Sequence, residues 1–308
     1  MNTTRPPESE CTKNPVGLIG IGLMGTAIAE RLLAANFDVL GWDLSADRRE
    51  ALATIGGSVA ASSDNVLAIC DRVILSLPSH ESVSAVLQSA DDSLRAGQIV
   101  IDTSTGDPQA AVQQSARLAP REVEYLDATI SGSSQQLRDG SAVFLVGGTE
   151  QAFRSCEDIL ECLTTKSHHV GPAGSGAQMK LVTNLVLGLN RAALAEGLWF
   201  AQSLGLDPQQ TLFMLRESMS YSRIMDTKGE KMLRGDFTPQ AKLSQHLKDV
   251  QLMLAAAVDA NTRLPLTALH RQLLETGMQL GLGDMDNSAI LQAIGHVGTV
   301  GRPPATDI

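Results

Sequence analysis

The sequence is poor in aromatic residues and in positive charge. Only 3% of its 308 residues are Phe, Trp or Tyr, and 24 Lys and Arg stand against 34 Asp and Glu, for a formal net charge of −10. Such a chain has neither a basic face that would follow phosphates nor a set of rings on which bases could stack. We therefore expect no nucleic-acid partner.

Cysteine and histidine lack the spacings that metal sites and disulfide scaffolds use. The four cysteines (Cys11, Cys70, Cys156 and Cys162) include no C-x-x-C pair, and the six histidines include no H-E-x-x-H. A structural zinc site and a disulfide scaffold are both disfavoured. We expect no metal and a cytoplasmic location, because unpaired thiols are typical of a reducing compartment.

Long hydrophobic runs are also missing. The most continuous apolar run near the N-terminus covers residues 16–29, contains four glycines and is shorter than the roughly 20 residues that a membrane helix needs. Glu8 and Glu10 precede it, where a secretory signal would carry basic residues. We expect no membrane span and no signal peptide. Residues 1–14 are polar and proline-containing, which predicts a flexible N-terminal tail.

Residues 15–173 have the pattern of an α/β domain. Short β-rich apolar runs alternate with stretches of helical period, as in βαβ units under a mostly parallel sheet. The predicted strands cover residues 16–21, 38–42, 72–77, 99–102, 123–128 and 142–146. Continuous apolar runs, such as residues 73–75, favour strands that are buried on both faces. We predict a Rossmann-type doubly wound sheet, the dinucleotide-binding type of α/β fold.

Residues 174–308 have a helical pattern throughout. Residues 176–204 contain no proline, and Leu181, Leu185 and Leu189 recur at helical spacing, which predicts one long helix. Asp207-Pro208 and Leu264-Pro265 predict further helix starts. We predict an all-α C-terminal domain that this long interdomain helix joins to the first domain.

A glycine-rich motif directly follows the first predicted strand and opens a helical stretch. It consists of Gly20, Ile21, Gly22, Leu23, Met24 and Gly25, in the pattern G-x-G-x-x-G. The first glycine allows a tight turn, the second lets the backbone approach a pyrophosphate, and the third lets the helix pack closely on the strand. We predict that these six residues bind a dinucleotide; taken alone, the hexapeptide could also be an unliganded glycine-rich turn.

Asp43 ends the next predicted strand, about 20 residues beyond the glycines, where a carboxylate can accept both hydroxyls of an adenosine ribose. The same carboxylate would repel a 2′-phosphate, so Asp43 favours NAD over NADP. Arg48 and Arg49 follow it closely and could reach a phosphate, although solvated positions at a helix start are their simpler interpretation. NAD is therefore the expected cofactor, with NADP left open.

Five ordered blocks of the sequence resemble the β-hydroxyacid dehydrogenase family, which contains 3-hydroxyisobutyrate dehydrogenase and tartronate semialdehyde reductase. The blocks are residues 20–25, 102–105 (DTST), 127–132 (DATISG), 174–180 (GSGAQMK) with Asn184, and 248–249 (KD), and the resemblance runs from residue 16 to 293. It implies reversible hydride transfer between the carbinol carbon of a small 3-hydroxy acid and C4 of a nicotinamide ring, without a metal. It also implies an active site in the cleft between the two domains and assembly as a homodimer or homotetramer.

Lys180 is the candidate general acid–base. When a hydride leaves a carbinol carbon, the hydroxyl must lose its proton to a base, which acts as an acid in the reverse direction. A free lysine has a pKa of about 10.4, which partial burial or nearby cations can lower toward about 7–8. The resemblance assigns the family's catalytic lysine to Lys180, whereas the residues alone also allow an exposed surface lysine. Asn184 shares its helix face and can orient the substrate hydroxyl or the ammonium, or can make an internal hydrogen bond.

Polar residues after one strand are candidates for binding the substrate carboxylate. Ser131, Gly132 and Ser133 can supply N–H groups and hydroxyls. The family's loop usually reads Ser-Gly-Gly, so Ser133 departs from it and leaves the identity of the acid open. Arg138 or Gln136 would contact a polar or second anionic group of the substrate, unless Arg138 points to solvent.

Further candidates for cofactor binding lie at other strand ends. The resemblance places Ser104 and Thr105 around the nicotinamide and its ribose, with Thr105 also near the substrate, and Lys248 near cofactor and substrate. Leu77 and Pro78 follow the third predicted strand and are expected to border the adenosine half, or they only form a turn.

Two other functions share this scaffold. Imine reductases generally lack a lysine at the position of Lys180, so its presence favours alcohol chemistry. A non-catalytic dinucleotide-binding sensor or scaffold would need neither Lys180 nor Asn184. Cofactor binding without turnover of any small 3-hydroxy acid would favour the sensor.

Overall fold

The computed structural model describes residues 14–299 of the chain. These residues divide into two compact units, the first ending at Lys180 and the second beginning at Leu181. The division falls inside a helix, whereas the sequence placed the domain boundary between residues 173 and 174. The predicted N-terminal tail lies outside the described residues, except for Asn14.

The first unit is built on one twisted sheet. Its strands are β1 (Val16–Ile19), β2 (Val39–Trp42), β3 (Ser58–Val59), β4 (Arg72–Leu75), β5 (Ile99–Asp102), β6 (Glu124–Ser131), β7 (Val143–Gly147) and β8 (Ser167–Gly171). Within residues 14–299 the strand order is β3-β2-β1-β4-β5-β6-β7-β8, and only β6 and β7 pair antiparallel. The order reverses between β1 and β4, the position at which doubly wound folds bind ligands. The Rossmann-type prediction is confirmed.

Helices cover both faces of this sheet. They are α1 (Leu23–Ala34), α2 (Ala46–Thr54), α3 (Ser63–Ile69), α4 (His80–Ser89), α5 (Pro108–Leu118), α6 (Ser134–Arg138), α7 (Glu150–Arg154) and α8 (Glu157–Leu163), with 3-10 turns at Asp91–Ser93 and Ala119–Arg121. Alternate residues of β4 enter different cores, because Ile74 packs in the cluster that contains Leu32 of α1, whereas Val73 and Leu75 pack in the cluster that contains Leu67 of α3. Burial on both faces explains the continuous apolar runs.

The structure contains two strands that were not predicted, and several strand ends differ, since β1 ends at Ile19 and β4 at Leu75, each two residues before the predicted end. The strands β3 and β8 were not predicted, because β3 has only two residues and β8 reads Ser-His-His-Val-Gly, which contains no apolar run. Strand β6 continues to Ser131, beyond the predicted end at residue 128, since residues 127–131 pair with β7. Ser131 is therefore the last residue of a strand rather than part of a loop.

The second unit, as far as the structure describes it, is built from helices. The long helix α9 (Ser175–Ser203) runs on into it, and the others are α10 (Pro208–Glu217), α11 (Ile224–Arg234), α12 (Leu243–Asp259), α13 (Pro265–Gln279) and α14 (Ile290–Gly298), with a 3-10 turn at Asn287–Ala289. Asp207 caps α10 by accepting a hydrogen bond from the Gln210 N–H at 2.7 Å, with Pro208 as the first helical residue. Among residues 14–299, no helix is long and apolar enough to cross a membrane.

A buried ion pair ties α11 to the segment before α14. Asp286 is fully buried and accepts hydrogen bonds from Lys228 Nζ at 2.9 Å, the Gln240 N–H at 2.9 Å and Ser288 Oγ at 2.7 Å. Burial by itself would raise the pKa of Asp286, but the hydrogen bonds, that from Lys228 foremost, hold this pKa well below its usual value. Burial lowers the pKa of Lys228, and the Asp286 carboxylate opposes this shift. The pair is satisfied only while both partners are present.

We expect Asp286→Asn to lower the free energy of unfolding by about 3–5 kcal/mol, because the buried Lys228 ammonium loses its counter-charge. Since the pKa of Asp286 is lower in the folded than in the unfolded protein, this contribution is complete above the unfolded-state value of about 3.9 and is lost as the pH falls below it. Urea denaturation at pH 7 and at lower pH values measures both effects.

Asp284→Asn is the matched control, because the Asp284 carboxylate lies 2.8 Å from Lys242 Nζ but is 91% exposed. Water replaces such a partner, so this variant should unfold like the wild type. Equal losses in the two variants would contradict the assignment of stability to the buried pair.

Candidate active site

The glycine loop, residues 20–25, joins β1 to α1 and leaves no room for side chains at two of its positions. Gly20 has φ +94°, and a Cβ there would lie 2.3 Å from the Ser76 carbonyl oxygen. A Cβ at Gly25 would lie 2.0 Å from the Gly20 carbonyl oxygen, whereas the atom nearest to a Cβ at Gly22 is 3.7 Å away. Gly22 precedes the first turn of α1 and provides no side-chain cap. The first N–H groups of α1 can therefore face an anion.

Asp43 holds this loop in place from the end of β2. Its Oδ2 accepts a hydrogen bond from the Ile21 N–H at 2.7 Å, and its Oδ1 accepts one from the Ser45 N–H at 2.9 Å. Arg48 Nη1 lies 3.4 Å from Asp43 Oδ2. The Arg49 guanidinium donates to the Asp43 carbonyl oxygen at 2.6 Å and stacks on the Trp42 ring at 4.5 Å. Asp43 thus anchors the glycine loop besides standing at the predicted ribose position.

Residues after β4 and β5 meet beside the glycine loop. The Leu77 N–H donates to Ser104 Oγ at 3.0 Å, and a Leu77 methyl carbon lies 3.0 Å from a Cβ position at Gly20. Ser104 is buried, whereas Pro78 and Thr105 are exposed. In the remaining part of the predicted cofactor site, Leu23 is exposed, Met24 is half-buried and Ile21 is buried.

Two buried acidic side chains are register partners on the adjacent strands β5 and β6, where Asp102 is the last residue of β5 and Asp127 is the fourth residue of β6. Asp102 accepts hydrogen bonds from the Ser104 N–H at 2.8 Å and from the Tyr125 hydroxyl at 2.6 Å. Burial raises the pKa of Asp102, and these hydrogen bonds oppose the shift. Burial, together with the Asp102 carboxylate, holds the pKa of Tyr125 well above its usual value. A cavity of about 20 Å³ between these groups and Ala177 has room for one water molecule.

Lys180 lies near the start of α9 and contacts the end of β6. Its Nζ donates a hydrogen bond to the Ile130 carbonyl oxygen at 2.7 Å, and the side chain is half-buried. Ile130 immediately precedes Ser131, so the amine is held beside the predicted substrate-binding residues. Gly132 and Ser133 are exposed, and Ser131 is half-buried.

Two residues considered for substrate contact have protein partners in the structure. Gln136 completes a capping box with Ser133, since its side chain accepts from the Ser133 N–H at 2.9 Å and its own N–H donates to Ser133 Oγ at 3.2 Å. The Arg138 guanidinium donates to Glu30 Oε2 at 2.6 Å. These contacts stabilise α6 and fix it against α1.

The second unit contains the other sequence candidates. Asn184 lies one turn after Lys180 along α9, and its Nδ2 is 3.4 Å from Asp249 Oδ2 on α12. Lys248 is exposed on the same helix. A Cβ at Gly188 would lie 2.7 Å from His246 Nε2, so this glycine allows α9 to pack against the histidine.

Asp102 and Asp127 were not predicted as site residues, although they open the blocks DTST and DATISG. Asp127 is 3% exposed and accepts hydrogen bonds from the N–H groups of Gly174 and Ala177 at 2.9 and 2.8 Å. Burial raises the pKa of Asp127, and these two N–H donors oppose the shift. An acidic residue that directly follows the apolar residues of a predicted strand is a signal that could have indicated both residues.

The residues present fit a dinucleotide but form no metal site within the described part of the chain. A Cβ at Gly20 or Gly25 would collide with a backbone carbonyl oxygen, so the loop keeps this shape only with glycines there, and Gly22 with the uncapped first turn of α1 leaves N–H groups open to a pyrophosphate. No group of three or more His, Cys, Asp or Glu side chains that could hold a metal occurs among residues 14–299.

Two family models match the chain. The family model described as the NAD binding domain of 6-phosphogluconate dehydrogenase matches residues 15–171. The model described as NAD-binding of NADP-dependent 3-hydroxyisobutyrate dehydrogenase matches residues 174–294. Together the two models cover both units.

Two relatives that match nine tenths of the chain are named as dehydrogenases. The chain is 31% identical to 2-(hydroxymethyl)glutarate dehydrogenase of Eubacterium barkeri over 281 residues. The aligned region covers 90% of this chain and 93% of that protein. It is 30% identical to L-threonate dehydrogenase of Cupriavidus necator, over 90% and 95% of the two chains. The solved structure of Mycobacterium tuberculosis 3-hydroxyisobutyrate dehydrogenase with L-serine is 25% identical, with a TM-score of 0.86 over 92% of this chain and 99% of that one. The chain therefore belongs to the β-hydroxyacid dehydrogenase family of NAD(P)-dependent oxidoreductases.

Proposed function

We propose that this protein transfers a hydride between a nicotinamide cofactor and a small 3-hydroxy acid, or the matching semialdehyde, with Lys180 as the general acid–base. The observation that carries the proposal is the 2.7 Å hydrogen bond from Lys180 Nζ to the Ile130 carbonyl oxygen, one residue before Ser131. It holds an amine at the carboxyl edge of the sheet, where doubly wound folds bind ligands. The relatives named for hydroxymethylglutarate and threonate support a hydroxy-acid substrate.

Lys180 moves the proton of this reaction. When bound, the nicotinamide ring exchanges a hydride with the carbinol carbon through its C4 atom. In the oxidation direction, unprotonated Lys180 Nζ accepts the hydroxyl proton while the carbinol carbon loses its hydrogen with the electron pair, which leaves a carbonyl. In the reverse direction the ammonium returns a proton to the carbonyl oxygen. The Ile130 carbonyl accepts one N–H of the ammonium and so fixes its direction.

Donors for the substrate carboxylate come from residues 131–133. Ser133 Oγ accepts from the Gln136 N–H, so its hydroxyl hydrogen remains available to donate. Ser131, at the end of β6, and the backbone at Gly132 complete this group, and exposed Thr105 is a further proposed contact. Together they would bind one carboxylate next to the amine.

Asn184 is proposed to orient the substrate hydroxyl or the Lys180 ammonium. Because its Nδ2 is directed to Asp249 Oδ2 at 3.4 Å, its Oδ1 is the remaining acceptor. Lys248 remains a proposed cofactor or substrate contact that is supported by the family resemblance.

Two further proposals concern the cofactor and the cellular location of the protein. We propose NAD as the preferred cofactor, since a carboxylate at the ribose position predicted for Asp43 would repel a 2′-phosphate. We propose a cytoplasmic location, which the free thiols of Cys70, Cys156 and Cys162 support.

We also propose a homodimer or homotetramer. Neighbouring apolar side chains at the end of α9 and on α10 are each more than half exposed. They are Phe200, Leu204, Leu206, Phe213 and Met214. Exposed apolar surface of this kind is typical of a subunit interface.

Lys180→Met should lower kcat by at least about 10²-fold and leave the dinucleotide Kd nearly unchanged, because it removes the proton carrier but no cofactor contact. Turnover is measured with a panel of small 3-hydroxy acids and semialdehydes, each with NAD(H) and NADP(H). Lys166→Met is the control, since Lys166 is an exposed lysine of the same unit. Wild-type kcat in Lys180→Met would remove this residue from proton transfer, and dinucleotide binding without any turnover in the wild type would favour a sensor.

NAD+ should bind with a Kd at least about tenfold lower than NADP+, because the Asp43 carboxylate would repel a 2′-phosphate. Isothermal titration of the wild type measures both constants. Arg48→Ala should change the Kd of NAD+ by no more than about twofold, since an exposed arginine contributes little. Tighter binding of NADP+ that Arg48→Ala abolishes would reverse the assignment.

Light scattering after size exclusion should give the mass of two or four chains. Phe200→Glu should lower that mass, because a charge would enter the proposed interface. Leu44→Glu is the control, since Leu44 is equally apolar and exposed but lies in the first unit. A wild type that elutes with the mass of one chain would contradict the proposed assembly.

A further inference from the structure

Strand β6 contacts the first turn of α9 through the side chain of Asp127. Both oxygens of the Asp127 carboxylate are used there, because Oδ1 accepts from the Gly174 N–H and Oδ2 from the Ala177 N–H. N–H groups at a helix start have no partner within the helix, and a carboxylate is favoured at that end of the helix dipole. A side chain of the sheet therefore caps the helix that carries Lys180.

Two further contacts from the same strand fix the rotation of this turn. Thr129 Oγ1 donates to the Gly176 carbonyl oxygen at 3.0 Å, and Lys180 Nζ donates to the Ile130 carbonyl oxygen. Asp127, Thr129 and Ile130 thus hold successive positions along α9. Lys180 follows Ala177 by three residues, so the N–H that Asp127 holds lies about one helical turn before the amine.

Two glycines allow β7 and the start of α9 to pack closely against Asp127. A Cβ at Gly147 would lie 2.4 Å from Asp127 Oδ1, and one at Gly176 would lie 2.2 Å from the Asp127 carbonyl oxygen. Backbone and carboxylate are in direct contact at both places. The Asp127 carboxylate is therefore closely packed between Gly147 of β7 and the start of α9.

We propose that Asp127 is a positioning residue that fixes the start of α9 on β6 and thereby sets where the Lys180 amine stands. The proposal rests on the proposed function in so far as Lys180 moves the proton. Asp127 itself touches neither substrate nor cofactor in this assignment. Asn at position 127 would present an amide N–H₂ to one of the two N–H donors, so one hydrogen bond would be lost and two donors would face each other.

Asp102 provides a matched comparison. It ends the neighbouring strand in register with Asp127, is also buried and also caps a backbone N–H, but its partners are Ser104 and Tyr125. Loss of the Asp102 carboxylate should disturb the segment after β5. It should leave the position of Lys180 unchanged.

The test measures the accessibility of the Lys180 amine directly and needs no activity. Full-length wild type, Asp127→Asn and Asp102→Asn are labelled at one pH with a trace of acetic anhydride, and Lys180 modification relative to Lys166 is read by peptide mass spectrometry. We expect Asp127→Asn to raise the relative labelling of Lys180 by about fivefold or more, the effect of losing a hydrogen bond that closes a local opening. In Asp102→Asn the relative labelling of Lys180 should stay within about twofold of the wild type, because the hydrogen-bond partners of Asp102 are Ser104 and Tyr125 rather than residues of α9.

Hydrogen exchange locates the change. Peptides that cover residues 172–182 should exchange faster in Asp127→Asn and at the wild-type rate in Asp102→Asn. If Asp127→Asn does not fold, Thr129→Val replaces it, because this variant loses only the hydroxyl that holds Gly176; a smaller rise in Lys180 labelling, of about twofold, is expected.

Two results would overturn the proposal. One is a folded Asp127→Asn, or Thr129→Val in its place, with wild-type labelling of Lys180. The other is an equal rise in the Asp127 and Asp102 variants, which would indicate general loosening of the sheet. Neither depends on finding a substrate, so a failure here is separate from a failure of the hydride-transfer assignment. With an active substrate, Asp127→Asn should lower kcat while the dinucleotide Kd stays constant.

Discussion

The hydrogen bond between the Lys180 ammonium and the Ile130 carbonyl oxygen is the contact on which the functional account depends. It joins the helix that carries the proposed acid–base group to the strand that ends at Ser131. A flexible lysine side chain has many rotamers, and a fixed acceptor selects among them before substrate arrives. The lysine amine is thereby held at the carbonyl that immediately precedes Ser131.

Buried carboxylates on strands, or directly after them, organise the rest of the first unit in the same way. Asp43 holds the N–H groups of Ile21 and Ser45, and Asp102 holds that of Ser104. Asp127 does the same for Gly174 and Ala177. Each carboxylate satisfies N–H groups of a segment that has irregular backbone or begins a helix, where partners within the segment are missing. The carboxyl edge of the sheet is therefore a rigid frame for a ligand.

The sequence predicted those elements whose signals are local or periodic in the chain. The glycine loop, the buried strands such as β5 and the long helix α9 follow from glycine spacing, continuous apolar runs and helical period, and the structure confirms the fold class. Strand β8 could not be predicted, because its Ser-His-His stretch has no apolar pattern and pairs only through β7. Local signals are enough to predict a strand or helix whose own side chains are buried.

The partners of site residues were beyond the sequence because they come from distant parts of the chain. Asp127 reaches Ala177 across 50 residues, and Arg138 reaches Glu30 across 108. Nothing in the local pattern of Arg138 distinguishes a substrate contact from a salt bridge. Lys180 was predicted from family resemblance, but its acceptor, a backbone carbonyl, leaves no trace in residue type.

The most direct measurement of the central claim is chemical rescue of Lys180→Ala by added alkylamines. If a lysine amine moves the proton, turnover should rise with amine concentration, and more steeply for amines of higher pKa, as general base catalysis requires in the oxidation direction. Dinucleotide titration of the same variant verifies that the cofactor still binds. Wild-type turnover of Lys180→Ala without any amine, at unchanged dinucleotide affinity, would contradict the account.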